Sequence, residues 1–376
     1  MTLEEVTKKL DELKIPISMV FTPINLDSEK KKFFASETYN PQFKYKLINN
    51  NNESILKELL AVEEISDVDP RLSEFYIKLI QAKREASDLM HVVGNNEAVS
   101  YLSKKRFRMP SDKLFRNACR VLRGKYDAYE LLITKKVDRG EYLQYEEIKR
   151  IFEAVFAELG MDNWSIIKSN NIAKNGIKVG VKNRTVLVDE NIERSKFKLR
   201  KTIVHEVGTH ALRAYNGFRS GFEALGKSNI PSYLDIEEGL ATWNEYELGL
   251  LTSDWLRNKA ALVWGIYIGE ELTFRELYNS ALAVLPKKAA FDLTYRVKRG
   301  LSDTSMPGIY AKDVAYFRGF RKIMKKLDKD PAIYDLLYAG KIDIKQTKWV
   351  LDGLIKKPEI IPTPERWEQI FKKVGI

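Results

Sequence analysis

The sequence is poor in the residues from which covalent and metal frameworks are usually built. It holds one cysteine, Cys119, in 376 residues, so no intrachain disulfide can form and a reducing compartment fits best. Its longest apolar run, Ala260 to Gly269, is too short to cross a bilayer. The opening stretch MTLEEVTKKLDELKIP is acidic and amphipathic, unlike a secretory or transit segment. Together these absences exclude a disulfide scaffold, argue against a helical membrane protein and lead us to expect a cytoplasmic location. Histidine is scarce as well: only His91, His205 and His210 occur. Two of these three fall within one six-residue window.

What is present describes a globular chain, with 44% hydrophobic and 31% charged residues. Lys and Arg outnumber Asp and Glu by 63 to 52, for a net charge of +11, which would suit an acidic partner or substrate. Most of the lysines are scattered singly or in pairs over expected helix surfaces, and no recognisable nucleic-acid motif accompanies them, so no nucleic-acid partner is expected.

Apolar residues recur at helical spacing through much of residues 53–132, with breaks at Pro70 and Met109-Pro110. A helix over Tyr145 to Leu159 should stop at Gly160. Strands are expected at Trp164–Ile167, Ile177–Val181 and Thr185–Val188, the last two forming a hairpin, with Val186 to Val188 as the candidate edge for an extended peptide. A long, largely buried helix should run from Arg194 to Tyr215 and end at Asn216-Gly217. Ser232 can cap a helix beginning near Leu234, and Thr363-Pro364 opens the last one. The fold class expected is α+β, predominantly helical, with a small sheet. We expect an N-terminal helical region over residues 1–140, packed on a domain over residues 141–376.

The window is His205-Glu206-Val207-Gly208-Thr209-His210. The familiar zinc signature places two histidines at i and i+4, with a glutamate after the first. Here the second is at i+5, so on a regular helix the two side chains would point about 140° apart. A single wide turn with i to i+5 hydrogen bonding would return both to one face, and Gly208 would ease that distortion. Otherwise these are two histidines on a buried helix, bonded to backbone carbonyls. A catalytic zinc takes three protein ligands, and no histidine follows His210. Glu237 and Glu238 are the nearest paired carboxylates, either of which could complete the set. Glu206, beside the metal, would serve as the base.

The run HEVGTHALRAYNG, followed by IEEGLATWNEY, resembles the tyrosine carboxypeptidase family, which includes microtubule-associated members and bacterial proteins carrying a QEGLA motif. PINLDSEKKKFF, YNPQFKY, LSKKRFRMPSDKLFRNACRVL and RGL look like family segments too, so the likeness covers nearly the whole chain. It implies a zincin-like metallopeptidase domain holding one zinc ion per chain. His205, His210 and Glu238 would be the metal ligands and Glu206 the catalytic base, with Glu237 standing where the motif usually has glutamine. The implied activity is release of a C-terminal Tyr or Phe from a peptide or protein. For the terminal carboxylate the candidates are Arg213, Arg299, Lys312 and Arg318, with Tyr316 as a hydrogen-bond donor and Asp313 orienting a neighbouring base. A zinc endopeptidase or aminopeptidase, or a silent binding protein with the same fold, is the alternative; retention of Glu206 argues against the last.

Overall fold

Helix punctuation in the sequence carries over into the computed structural model, which describes residues 1–133, 140–170, 172, 174–227 and 231–376. Thr2, Asp69, Asn95, Ser111 and Thr363 each accept a backbone N–H at the start of a helix, relieving donors that the first turn leaves without intrahelical partners. Pro70 and Pro364 occupy first helical positions, where their missing N–H costs nothing. Gly160 ends the helix Tyr145–Leu159 in the left-handed region, at φ 71°. Among the described residues no helix is long and apolar enough to cross a membrane.

The chain divides into two compact units at three points, where the sequence suggested a single boundary near residue 140. One unit joins Met1–Ala128 to Asp254–Arg318, and the other joins Tyr129–Ser253 to Gly319–Ile376. Residues 254–318 thus group with the N-terminal segment, because that segment's aromatic residues pack into them. Phe33, fully buried, meets Phe274 and Tyr278 edge to face at 5.0 and 4.9 Å, a favourable ring geometry. YNPQFKY is stitched to the RGL region: Phe43 N–H donates to Ser302 O at 2.8 Å, and Gly300 N–H to the Tyr45 hydroxyl at 2.7 Å.

In the same unit Asp313, 1% exposed, accepts from Arg296 Nε at 2.6 Å and lies 3.6 Å from Arg299. Burial alone would raise its pKa. The two guanidinium charges outweigh that and hold its carboxyl well below the ordinary aspartate range.

The second unit contains both sheets. Strand β1 (Tyr142–Leu143) pairs antiparallel with β5 (Arg194–Ser195). The larger sheet has the order β2 (Ser165–Ser169), β4 (Thr185–Asp189), β3 (Ile177–Gly180), with β2 parallel and β3 antiparallel to β4. The expected hairpin is there, but Val186 to Val188 is not an edge. β2 takes the far side of β4, and Val186 and Val188 are wholly buried. The antiparallel outer strand is β3, which packs beside residues 206–211. Phe152, Val155 and Phe156 on the helix Tyr145–Leu159, Val186 and Val188 on the sheet, and Ile203, Val204 and Val207 on the next helix share one core.

That next helix does not stop at Asn216-Gly217, and it continues to Arg219. Asn216 is used for tertiary bonding instead: its amide donates to Ile360 O at 2.8 Å and accepts from Glu359 and Ile360 N–H at 3.2 Å. A Cβ at Gly217 would overlap the Leu225 carbonyl, so the glycine serves a close approach. The helix carrying IEEGLATWNEY begins at Pro231, ahead of the cap expected at Ser232. Its Gly239 lies against the backbone of Gly319, which a Cβ would overlap.

Gly239→Ala should therefore lower stability by about 1–3 kcal/mol or more, read as a fall in thermal midpoint. Asp313→Asn should cost toward the lower end of roughly 3–5 kcal/mol at neutral pH, because it strands two partly exposed arginines. A depressed folded pKa gives stability that is full above the unfolded value of about 3.9 and is lost as pH falls through and below it. The gap between wild type and Asp313→Asn should accordingly close below about pH 4 in urea titrations at stepped pH.

Candidate metal centre

His205 and His210 lie on one continuous helical rod built of three pieces: an α-helix Lys196–His205, a π-helical segment Glu206–Ala211, and an α-helix Leu212–Arg219. Ser195 caps its start, accepting from Lys198 N–H at 3.3 Å. The wide turn falls where the histidine spacing requires it. It brings the two imidazoles to 4.9 Å between centroids, edge to face at 78°, where a regular helix would turn them about 140° apart.

Three outside contacts hold that turn. Tyr338 donates its hydroxyl hydrogen to Gly208 O at 2.9 Å. Asn244 Nδ2 bridges Thr209 Oγ1 at 2.8 Å and the Tyr338 oxygen at 2.7 Å. Trp367, from the C-terminal helix Pro364–Lys373, lies over Gly208, and a Cβ there would sit 2.8 Å from its ring. Gly208 was expected to supply backbone freedom. It does not adopt a positive φ, and its role is to admit the indole.

The helix Pro231–Glu247 supplies three carboxylates to this point. Glu238 joins the histidines: one ligand atom each from His205, His210 and Glu238 lie within 4.8 Å of one another. Glu237 instead takes the outer face of His210, its Oε1 2.8 Å from Nδ1. Glu245 does the same for His205, at 2.8 Å; it follows Glu238 by seven residues, two turns along the same face. A ring nitrogen facing a carboxylate carries the proton, so Nδ1 of each ring is committed to its outer carboxylate and Nε2 is left as the nitrogen able to bind a metal ion. Two imidazole nitrogens with occupied outer faces and one carboxylate form a donor set that could hold a divalent metal ion.

The electrostatics favour positive charge there. Burial disfavours a charged His205, but hydrogen bonds to Glu238 and Glu245, with the charges of Glu245 and Glu206, outweigh it and raise its pKa well above the usual histidine value. Burial would raise Glu237 as well, yet the Lys341 and Arg213 charges and the His210 hydrogen bond hold it well below the usual range. Lys341 is lowered by its own burial, which Glu237 offsets only in part. Glu206 is half-buried, and among the described residues its carboxylate accepts no hydrogen bond.

Of the residues proposed to grip a substrate carboxylate, Arg213 is not available. It is 0% exposed and spends its guanidinium on Leu337 O at 2.9 Å, Ile342 O at 2.7 Å and Glu237. Arg299, Lys312, Tyr316 and Arg318 belong to the other compact unit. There Arg299 and Arg296 both flank Asp313. The Tyr316 ring lies under Lys259 Nζ at 3.8 Å, and Arg318 donates to Phe107 O at 2.8 Å. Lys312 is half-buried beside them in sequence. His91 is exposed and bonds Ser87 O of its own helix at 2.8 Å. Sequence reasoning missed Glu245, although the two-turn interval from Glu238 was there to find. It also missed Lys341, Tyr338, Asn244 and Trp367, for which no local pattern gives a sign.

Residues 31–373 match the profile of the family described as microtubule-associated tyrosine carboxypeptidase. Microtubule-associated tyrosine carboxypeptidase 1 of Mus musculus is 24% identical over 378 residues, covering 96% of this chain and 68% of the relative. The Homo sapiens protein of that name is 24% identical over 319 residues, covering 83% and 57%. A putative tyrosine carboxypeptidase of Mus musculus, MATCAP2, is 24% identical over 322 residues, covering 83% of this chain and 51% of that one. The chain thus spans about half to two thirds of the length of these relatives. Among solved structures, a putative lipoprotein from Colwellia psychrerythraea aligns with a TM-score of 0.41 and 12% identity over 86% of this chain and 66% of that one, too distant a likeness to define the fold. With the match running through the histidine pair, the glutamate helix and both compact units, the chain belongs to the microtubule-associated tyrosine carboxypeptidase family, and its His-His-Glu cluster is consistent with metal-dependent peptide hydrolysis.

Proposed function

We propose that the chain is a zinc carboxypeptidase of zincin-like fold that releases a C-terminal tyrosine or phenylalanine from peptides or proteins. The observation that carries this reading is the π-helical segment Glu206–Ala211, because it turns an unsuitable i, i+5 pair into two imidazoles that converge with Glu238. His205 Nε2, His210 Nε2 and a Glu238 oxygen would hold the ion. When bound, zinc supplies Lewis acidity, which polarises a scissile carbonyl and makes water nucleophilic at neutral pH.

Glu206 is the base in this reading. Its neighbours Glu237 and Glu245 are committed to imidazole Nδ1 atoms, whereas its own carboxylate is uncommitted among the described residues. It would take the proton of the attacking water and deliver it to the leaving amine. An extended peptide would add to the outer edge of β3, beside the wide turn, with backbone hydrogen bonds giving register. The preference for an aromatic end group follows from the tyrosine carboxypeptidase activity in the relatives' names.

Purified protein should contain about one zinc per chain by elemental analysis. Mass spectrometry should show loss of a single residue from peptides ending in free Tyr or Phe, and no cleavage of C-terminally amidated ones. Glu206→Gln should retain the metal while activity falls at least about 10²–10⁴-fold, and Glu238→Ala should lose the metal. Cleavage of amidated peptides would instead make the protein an endopeptidase or aminopeptidase, and a chain without zinc would overturn the proposal.

A further inference from the structure

The two imidazoles are oriented by carboxylates in different surroundings. Glu245, behind His205, has Lys201 Nζ 3.2 Å from its other oxygen, and that lysine is 22% exposed. Glu237, behind His210, is buried among committed groups. Its Oε1 accepts from His210 Nδ1 at 2.8 Å and Lys341 Nζ at 2.6 Å, and its Oε2 accepts from Arg213. Lys341 is 6% exposed and also donates to the Tyr233 hydroxyl at 2.8 Å.

Two buried cations therefore face one carboxylate on the side of His210 away from the metal position. A carboxylate has two oxygens and can accept from all three donors, whereas a glutamine has one acceptor oxygen and would turn an NH2 group toward a guanidinium or an ammonium. With a single acceptor oxygen contested by three donors, the His210 ring is no longer assured of the partner that fixes its plane and tautomer. The metal position would also face two buried cations with no negative charge between, in a medium of low dielectric.

We propose that Glu237 is a positioning residue for His210, that Arg213 holds it through its other oxygen, and that Lys341, sharing Oε1 with His210, moderates its charge, so that metal affinity is set in part from the segment 337–342. The inference rests on the metal site proposed above and deepens it. It assigns a function to the carboxylate that stands where the related motif has glutamine. Ring-oriented ligands of this kind lose about 10–100-fold in metal affinity when the outer partner is removed.

The test is zinc affinity by competition with a chromophoric chelator, together with the visible absorption of the cobalt-substituted protein, on variants checked for folding by circular dichroism. Glu237→Gln should bind zinc about 10–100-fold more weakly with an altered cobalt spectrum. Adding Lys341→Met to Glu237→Gln should recover part of the loss, because one stranded cation is gone. Lys341→Met alone should bind zinc more tightly than wild type, since Glu237 then gives more of its charge to His210, and this arm decides the matter if Glu237→Gln does not fold. Wild-type zinc affinity and cobalt spectrum in Glu237→Gln, even with a lowered thermal midpoint, would make Glu237 a structural counter-ion only and overturn the proposal, as would unchanged or weaker binding in Lys341→Met. Wild-type protein that binds no zinc would overturn the metal site itself, a separate outcome.

Discussion

Everything at the candidate site depends on one helical turn made a residue too wide. An α-helix places the fifth residue on another face, and no side-chain rotamer closes an angle of about 140° between two imidazoles. The π segment from Glu206 to Ala211 removes that obstacle, but a wide turn is less favourable than a regular one and persists only where surroundings select it. The selection comes from outside the rod. Tyr338 and Asn244 satisfy polar groups within the turn, and Trp367 fills the space that Gly208 leaves.

The donor set is layered in the same way. A single helix, Pro231–Glu247, presents one carboxylate to the metal position and two to the outer faces of the imidazoles. Neighbouring positions on a helix differ by about 100°, and positions seven apart nearly coincide. Glu238 and Glu245 can thus share a face that reaches His205 while Glu237 turns toward His210 and Arg213. Gly239 lets the backbone at Gly319 approach this helix, so the glycine after the ligand glutamate has a packing reason of its own.

The sequence misled in one recurring way, by offering turn and cap residues that the tertiary structure uses for other ends. Asn216-Gly217 has the form of a helix stop, yet the helix runs through it. Asn216 bonds residues 359 and 360, and Gly217 admits the Leu225 carbonyl. Val186 to Val188 has the composition of an outer hairpin strand and is central, because a parallel partner from residues 165–169 lies beyond it. The basic residues show the same limit. Arg213, one turn past His210, had the position of a substrate clamp, and only its complete burial against Leu337, Ile342 and Glu237 identifies it as internal.

The sequence by itself determined what is local: helix starts at capping residues, the hairpin of β3 and β4, the six-residue window with its need for a wide turn, and the following glutamates. These follow from backbone sterics and helical periodicity, which act over a few residues. Tertiary structure decided which of Glu237 and Glu238 faces the histidines, that residues 254–318 pack with the N-terminal segment, and that Lys341, Tyr338 and Trp367 support residues more than a hundred positions away. Adjacent glutamates are equivalent in sequence. They become a ligand and an outer partner only when the fold sets one beside two imidazoles and the other beside two buried cations.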